Sequence, residues 1–278
     1  MDGIWNPKLH LRLVAGVQDL GRFQLEHFGR VDPESMDEKG TRDLVSWVDR
    51  ESEVRLADLL GELLPGAGML GEEGLRRSGE DDLLWIIDPL DGTTNFAYGH
   101  PFFAISVALV RGRHPILGVI HAPRLGETFH GYEGFGAHLD DAPMSVSDRS
   151  DTSHTLMATG FADSRRTHAT VNLRNLDFML HATRGVRRAG SAALDMAFTA
   201  AGRLDGFWEM GLNAWDVAAG IYLVRAAGGR VSDLAGRPDA LAGLSIVASN
   251  GIIHDWMLDS LELDPLFDVE AEAFFPES

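Results

Sequence analysis

The chain has 278 residues, 45% of them hydrophobic and 24% charged, with no cysteine and a formal net charge of −18. That is enough to bury a sizeable core, as one large domain or as two halves sharing an interface, and the absence of cysteine excludes thiol nucleophiles, disulfides and Cys-ligated zinc. The excess negative charge repels nucleic acid and anionic membrane, so neither is an expected partner, and an anionic substrate would need bound cations to invert the local field.

Met1 to Leu11 carry Asp2, Lys8 and His10 where a secretory signal would have an apolar core. No stretch approaches the length of a membrane span, which leaves the cytoplasm as the expected address. Leu9, Leu13, Val17 and Leu20 recur at helical spacing, with Gly29 where such a helix stops. A polar stretch, 36–49, follows and contains Lys39, Asp43 and Asp49; a polar loop of this length inside a domain is often functional. Leu56, Leu59, Leu60 and Leu63 mark a second helix, closed by Pro65-Gly66.

From residue 83 the pattern turns to strands, at 83–87, 103–110, 116–121 and 128–132. Phe135 to Leu139 runs into an Asp140-Asp141 turn, and the glycines at 131, 134 and 136 read as hairpin turns. Pro143 is a plausible joint. It divides the chain into an N-terminal α+β half, 1–143, and a C-terminal α/β half, 144–278, which together form one catalytic unit. Beyond it, short strands at 155–159, 185–188, 204–208, 229–232 and 245–249 alternate with helical patterns at 167–181, 192–201, 215–227 and 252–261, as in stacked layers of helix and sheet. The acidic tail, with Phe267, Phe274 and Phe275, either docks on the body or frays.

The densest chemical signal is Trp85-Ile-Ile-Asp-Pro-Leu-Asp-Gly-Thr-Thr-Asn95. An apolar strand delivers Asp88 and Asp91, and carboxylates gather mainly where a cation offsets their repulsion. Oxygen-only donors suit Mg²⁺, with the Leu90 carbonyl as a neutral ligand. Pro89 biases Asp88 toward extended geometry. Gly92 permits close approach of the backbone to a ligand, and Thr93, Thr94 and Asn95 are good helix starters whose N–H groups suit a phosphate. An isolated Asp-Gly would be a simple turn; this longer combination points to metal-assisted hydrolysis of a phosphate ester.

Three further segments join it. In Gly71-Glu-Glu-Gly74, Glu72 is expected to reach the metals and Glu73 to support it. In Glu209-Met-Gly-Leu-Asn-Ala-Trp-Asp216, Asp216 opens a helix as its N-cap, with its second oxygen left for a cation. Gly190-Ser-Ala192 has small side chains that admit a substrate or tight packing, while Arg187 and Arg188 read as surface charges. The 11 histidines show no zinc-ligand pairing, and Ser46, Ser106 and Ser191 lack the flanks of a nucleophile elbow. No nicotinamide or flavin fingerprint appears.

These residues resemble the inositol monophosphatase family. Its signature string corresponds to 85–96, its later Trp-Asp-Val-Ala-Ala-Gly element to 215–220, and its Gly-Glu-Glu element to 71–74, with Arg187 to Asp195 similar to the bacterial branch. The resemblance implies a five-layer αβαβα sandwich, commonly a homodimer, inhibited by Li⁺. The implied activity is Mg²⁺-dependent hydrolysis of myo-inositol 1-phosphate or related sugar and polyol phosphates, with two or three ions. Glu72, Asp88 and the Leu90 carbonyl would hold one ion and Asp88, Asp91 and Asp216 a second, with a third near Glu72. Thr93 and Asp49 would activate the attacking water, with Glu72 also in the catalytic set. Gly92 and Thr93 would bind phosphate, and Asp91, Gly190, Ser191, Ala192, Glu209 and Asp216 would meet the substrate. Lys39 matches a mobile-loop lysine. The departures are Ser46 and Val48, where relatives often carry Thr, and Asn213, where animal members often have His. Fructose 1,6-bisphosphate, 3′-phosphoadenosine 5′-phosphate, histidinol phosphate and NADP are rival substrates on the same fold, and a non-catalytic regulatory paralogue is the rival outside enzymes.

Overall fold

The computed structural model describes residues 4–30, 37–39, 43–45, 47–80, 82–161, 165–241 and 244–268, with backbone alone at 37–39, 43–45 and 165–169. Asn6 starts the first helix, α1 (Pro7–His27), by accepting the N–H groups of Lys8 and Leu9 on its side chain, with Pro7 where no N–H is needed. Its apolar stripe of Leu13, Val17 and Leu20 packs with Leu56, Leu60 and Leu63 of α2 (Trp47–Leu63).

Within the stretch expected as a loop at 36–49, β1 (Asp37–Lys39) instead pairs antiparallel with β2 (Asp43–Val45), and α2 begins at Trp47. Strands of three residues carry too little alternation to register in a polar sequence. The helix begins earlier than its leucines indicate, and Asp49 lies in its first turn. The side chain of Lys39, and Ser46 altogether, lie outside the described residues.

An eight-stranded sheet follows in the order β10-β9-β8-β7-β6-β5-β3-β4. Its strands are β3 (Gly68–Gly71), β4 (Arg76–Arg77), β5 (Leu83–Asp91), β6 (Ala104–Arg111), β7 (His114–Ala122), β8 (Glu127–Tyr132), β9 (Gly136–Leu139) and β10 (Ala142–Pro143). Only the β3–β5 pair is parallel. Within this sheet β3, β4 and β10 escaped the sequence reading, β4 being two exposed arginines and β10 containing the Pro143 that reads as a joint. The second sheet has the order β12-β11-β13-β15-β14, from β11 (Leu156–Thr159), β12 (Gly185–Arg187), β13 (Gly206–Met210), β14 (Arg230–Ser232) and β15 (Ser245–Ser249). The remaining helices are α3 (Thr93–Ala97), α4 (Arg165–Ala182), α5 (Ala192–Ala200), α6 (Ala214–Ala226) and α7 (His254–Ser260).

Alternation along the strands assigns the layers. Trp85, Ile87, Val107 and Leu109 bury against α1 and α2, while Ile86, Ala108 and Val110 bury against α5 and α6. In the second sheet Ala158, Phe207, Ile246 and Ala248 meet the same two helices; Met157, Trp208 and Val247 face away, with Met179 of α4 and Met257 of α7. The result is the expected helix–sheet–helix–sheet–helix stack. The middle layer is thin because α6 is alanine-rich, and at Gly118 of β7 a Cβ would lie 2.6 Å from the Ala219 carbonyl oxygen. Phe267 is buried, so the tail docks at least that far; Phe274 and Phe275 lie outside the described residues. Among the described residues no helix is long and apolar enough to cross a membrane.

α1 also carries a polar contact to the far sheet edge. His10 Nε2 lies 2.8 Å from His130 Nδ1, and His130 Nε2 lies 2.9 Å from the Asp140 carbonyl. A carbonyl only accepts, so neutral His130 donates from Nε2 and accepts from His10. Burial, then His130 and His138, push the pKa of His10 down to about 3. The folded state therefore binds fewer protons than the unfolded one, and stability present above the ordinary value is lost as pH falls below it. At pH 5 this single group is expected to cost about 2 kcal/mol relative to neutral pH. Replacing it by a non-titrating donor, His10→Gln, should flatten the fall in Tm between pH 7 and pH 5; an unchanged slope would exclude this origin.

Candidate active site

The site begins where β5 breaks its own regularity. Asp88 pairs with Ser106 and Asp91 with Ala104, so three steps along β5 match two along β6. In a regular strand residues three apart face opposite sides; the one-residue bulge returns both carboxylates to one side. Pro89 has no N–H for the ladder, and its carbonyl accepts from Gln24 Nε2 of α1 at 2.8 Å. The Leu90 N–H turns back to Asp88 Oδ1 at 2.9 Å, while the Leu90 side chain is buried with Val48, Phe96 and Phe103. The Leu90 carbonyl accepts the Thr93 hydroxyl at 3.1 Å.

Gly92 then takes φ +92°, and a Cβ there would lie 2.9 Å from the Phe102 carbonyl oxygen, so glycine is required. It precedes α3, whose Asn95 Nδ2 donates to the carbonyls of Phe102 at 2.6 Å and Ala189 at 2.9 Å. Asn95 thereby ties the β5 turn to the 189–190 loop, a role the sequence reading had not assigned.

Asp91 meets the start of α5. Its Oδ2 accepts the Ser191 hydroxyl at 2.6 Å and the Ala193 N–H at 2.8 Å, and Ser191 also caps the helix by accepting the Leu194 N–H. Burial raises Asp91 to about 6 against the pull of these bonds. Asp216 arrives on α6 as the third helical residue rather than as the cap. Asn213 is the cap, and its N–H donates to Asp216 Oδ2 at 2.7 Å. The cap shifts because the carboxylate of a third residue reaches back to the first free N–H.

Carboxylate oxygens of Asp88, Asp91 and Asp216 all lie within 4.8 Å of one another, and among the described residues no other such group of three is found. Glu72 lies close enough to this group for Asp49, Asp88 and Asp91 to act on its carboxyl. Burial, then Glu73 and Asp49, push Glu72 up to about 8. Asp88 is held well above the carboxylate range by burial, then Glu72 and Asp91, and Asp216 by burial, then Asp91 and Glu72. Carboxyls crowded in this way are held neutral by protons or offset by a cation. The donor set, all oxygen and strongly anionic, fits a hard cation such as Mg²⁺. Asp49 is buried and its field reaches Glu72.

The opposite wall is also acidic. Glu209 on β13 is buried against Gly160, where a Cβ would collide with its carboxylate. Burial raises it well above the usual range, then Asp195 and Asp216 add to the shift. Asp195 of α5, buried and raised first by burial and then by Asp91, is a site residue the sequence reading passed over; a single acid in a helical first turn carries no distinctive signal. Arg187 and Arg188 are exposed, as expected, but Arg188 lies beside Gly190 and its charge reaches Asp195 and Glu209.

Without a cation, these raised acids bind more protons folded than unfolded. Their contribution to stability is present at low pH and lost as pH rises through about 6 for Asp91 and about 8 for Glu72. Saturating Mg²⁺ should therefore raise Tm more at pH 8 than at pH 6. Asp88→Asn should raise Tm in chelator and lose most of the Mg²⁺ increment. Calorimetry that finds equal increments at both pH values would contradict this electrostatic account.

Residues 14–264 match the family model described as the inositol monophosphatase family. An inositol-1-monophosphatase of Mesorhizobium japonicum is 42% identical over 90% of this chain and 94% of its own length. A fructose-1,6-bisphosphatase/inositol-1-monophosphatase of Aquifex aeolicus is 34% identical over 86% and 89%. The crystal structure of extragenic suppressor protein suhB from Bartonella henselae superposes with a TM-score of 0.85 at 38% identity, covering 91% of this chain and 97% of that one. The strand-end carboxylates, the five-layer stack and these matches agree: the chain belongs to the inositol monophosphatase family of phosphatases.

Proposed function

We propose that the chain is a Mg²⁺-dependent phosphomonoesterase acting on myo-inositol 1-phosphate or a closely related polyol phosphate by direct attack of water. The observation that carries the proposal is the convergence of Asp88, Asp91 and Asp216 on one point, with Glu72 from a third stretch of chain near enough for its charge to act on Asp88 and Asp216. In this reading Glu72, Asp88 and the Leu90 carbonyl would hold one ion, Asp88, Asp91 and Asp216 would hold a second, and a third would bind near Glu72. When bound, Mg²⁺ supplies positive charge that offsets the phosphate and the developing alkoxide and acidifies water.

The chain's own groups do the rest. Asp49 with Thr93 orients the attacking water and accepts its proton, while the N–H groups of Gly92 and Thr93 face the phosphate oxygens. Water oxygen bonds to phosphorus, the ester P–O bond breaks, and the departing alkoxide takes a proton from solvent. Gly190, Ser191, Ala192 and Glu209, with Asp91 and Asp216, face the alcohol part of the ester. Glu209, which burial holds well above the usual carboxylate range, hydrogen-bonds the hydroxyl groups of the alcohol. Li⁺ inhibition, a homodimer and a mobile role for Lys39 belong to the same proposal. A dormant regulatory paralogue is disfavoured because every proposed ligand is present.

The test is a phosphate-release screen with Mg²⁺ on myo-inositol 1-phosphate, fructose 1,6-bisphosphate, 3′-phosphoadenosine 5′-phosphate, histidinol phosphate and NADP. Inositol phosphate is expected to give the highest kcat/KM. Asp88→Asn should lower kcat by orders of magnitude on every substrate. Glu209→Leu, which keeps the bulk but removes the hydrogen-bonding group, should lower kcat/KM for inositol phosphate about tenfold, the value of one hydrogen bond to a polar group, and spare a simple aryl phosphate. A folded, Mg²⁺-loaded protein that hydrolyses none of these esters would overturn the proposal.

A further inference from the structure

Glu72 leaves the strands on a tight turn between β3 and β4, and that turn is filled from beneath by one buried carboxylate. Glu53 of α2 is 8% exposed, and its two oxygens accept separate backbone N–H groups, Glu73 at 2.9 Å on Oε2 and Leu75 at 3.0 Å on Oε1. The turn is also closed on itself: the Gly71 N–H donates to the Leu75 carbonyl at 2.9 Å, and Arg76 Nη1 donates to the carbonyls of Gly71 at 2.5 Å and Leu75 at 2.8 Å. The carboxylate occupies the space that Gly71 leaves, since a Cβ at that position would meet Glu53 Oε2.

The geometry points to Glu53 as a positioning residue for the metal site, a strut that fixes the Gly71–Leu75 turn so that Glu72 stays beside Asp88. The inference rests on the proposal that Glu72 is a metal ligand. Glu72 faces Asp88, Asp91 and Asp49, all acidic, so its turn is pushed outward unless something anchors it. A carboxylate accepting two backbone N–H groups is a strong, directional anchor. Glu53 also stands four residues beyond Asp49, on the same face of α2. One helical turn thus gives one carboxylate to the site and one to its support.

Outer groups that orient ligands typically alter metal affinity by about 10- to 100-fold. Glu53→Gln keeps the shape but offers one acceptor to two N–H groups, leaving the second opposite another donor. Its Kd for Mg²⁺, by calorimetric titration of chelator-stripped protein and by Mn²⁺ spin resonance, should rise about tenfold. At saturating Mg²⁺, kcat and the substrate KM should stay close to the original values. A second route to the same turn is Gly71→Ala, which pushes the carboxylate out; it should weaken Mg²⁺ binding alone and add nothing in a Glu53→Ala background. Absence of Mg²⁺ binding by the unmutated protein would overturn the metal reading of the site itself. Binding by the unmutated protein, with equal affinity in folded Glu53→Gln, would overturn the strut. Should Glu53→Gln not fold, unweakened binding in Gly71→Ala would do so.

Discussion

Gathering carboxylates out of water is unfavourable twice over, once for lost hydration and again for mutual repulsion, and the architecture is organised around that conflict. Burial is the largest influence on Glu72, Asp88, Asp91, Asp195, Glu209 and Asp216 alike, with neighbouring acids next for all but Asp91. A cluster of this kind relaxes by moving apart unless rigid elements hold it. Each carboxylate therefore comes from the end of a strand or the start of a helix, where packing fixes the backbone. Leu90 illustrates the division: its carbonyl is turned to Thr93 while its side chain is sealed into an apolar cluster.

Part of the repulsion is offset by the middle layer. Asp91 lies at the start of α5 and Asp216 in the first turn of α6, where backbone N–H groups are unpaired within the helix and the dipole favours negative charge. The alanine-rich sequence of these helices lets them approach both sheets closely enough to deliver those helix starts to the strand end. Gln24 of α1 reaches through from the other side of the first sheet to hold Pro89 and Ser52 together. Core packing and site geometry are thus the same set of contacts seen from different ends.

This explains which parts were legible in sequence. The 85–95 segment was readable because its strand, its acids and its turn are contiguous, and Asp216 was readable because it opens an apolar helix. The bulge was not, since nothing in Asp-Pro-Leu-Asp states that both acids share a side; an odd separation indicates the opposite. Glu53 was invisible for a different reason. An acid in the middle of a helix looks like a solvated face until the turn that it fills is seen. Asn213 displaced Asp216 as the cap because Asn and Asp are both good caps, and only tertiary placement decides which residue serves. The β1–β2 pair, β4 and β10 were missed because strands of two or three residues have no measurable period.

The distribution of charge separates chemistry from selectivity. At the β5 end the acids lie within reach of one another, an arrangement that could hold a metal ion. At the β13 end, Glu209 and Asp195 are raised by burial with Arg188 as the partly compensating charge, and Arg188 is itself exposed. Buried carboxyls at this wall can hydrogen-bond vicinal hydroxyl groups but would repel a second dianion. On the proposed function this favours an ester with one phosphate and several hydroxyls over a bisphosphate. Discrimination then comes from hydrogen-bonding groups left unpaired by the wrong alcohol, while the cost of holding the anionic head is common to all substrates. On the same proposal, changes along β13 would retune the alcohol accepted, whereas the start of α5 holds Asp91 and is shared with the strand end.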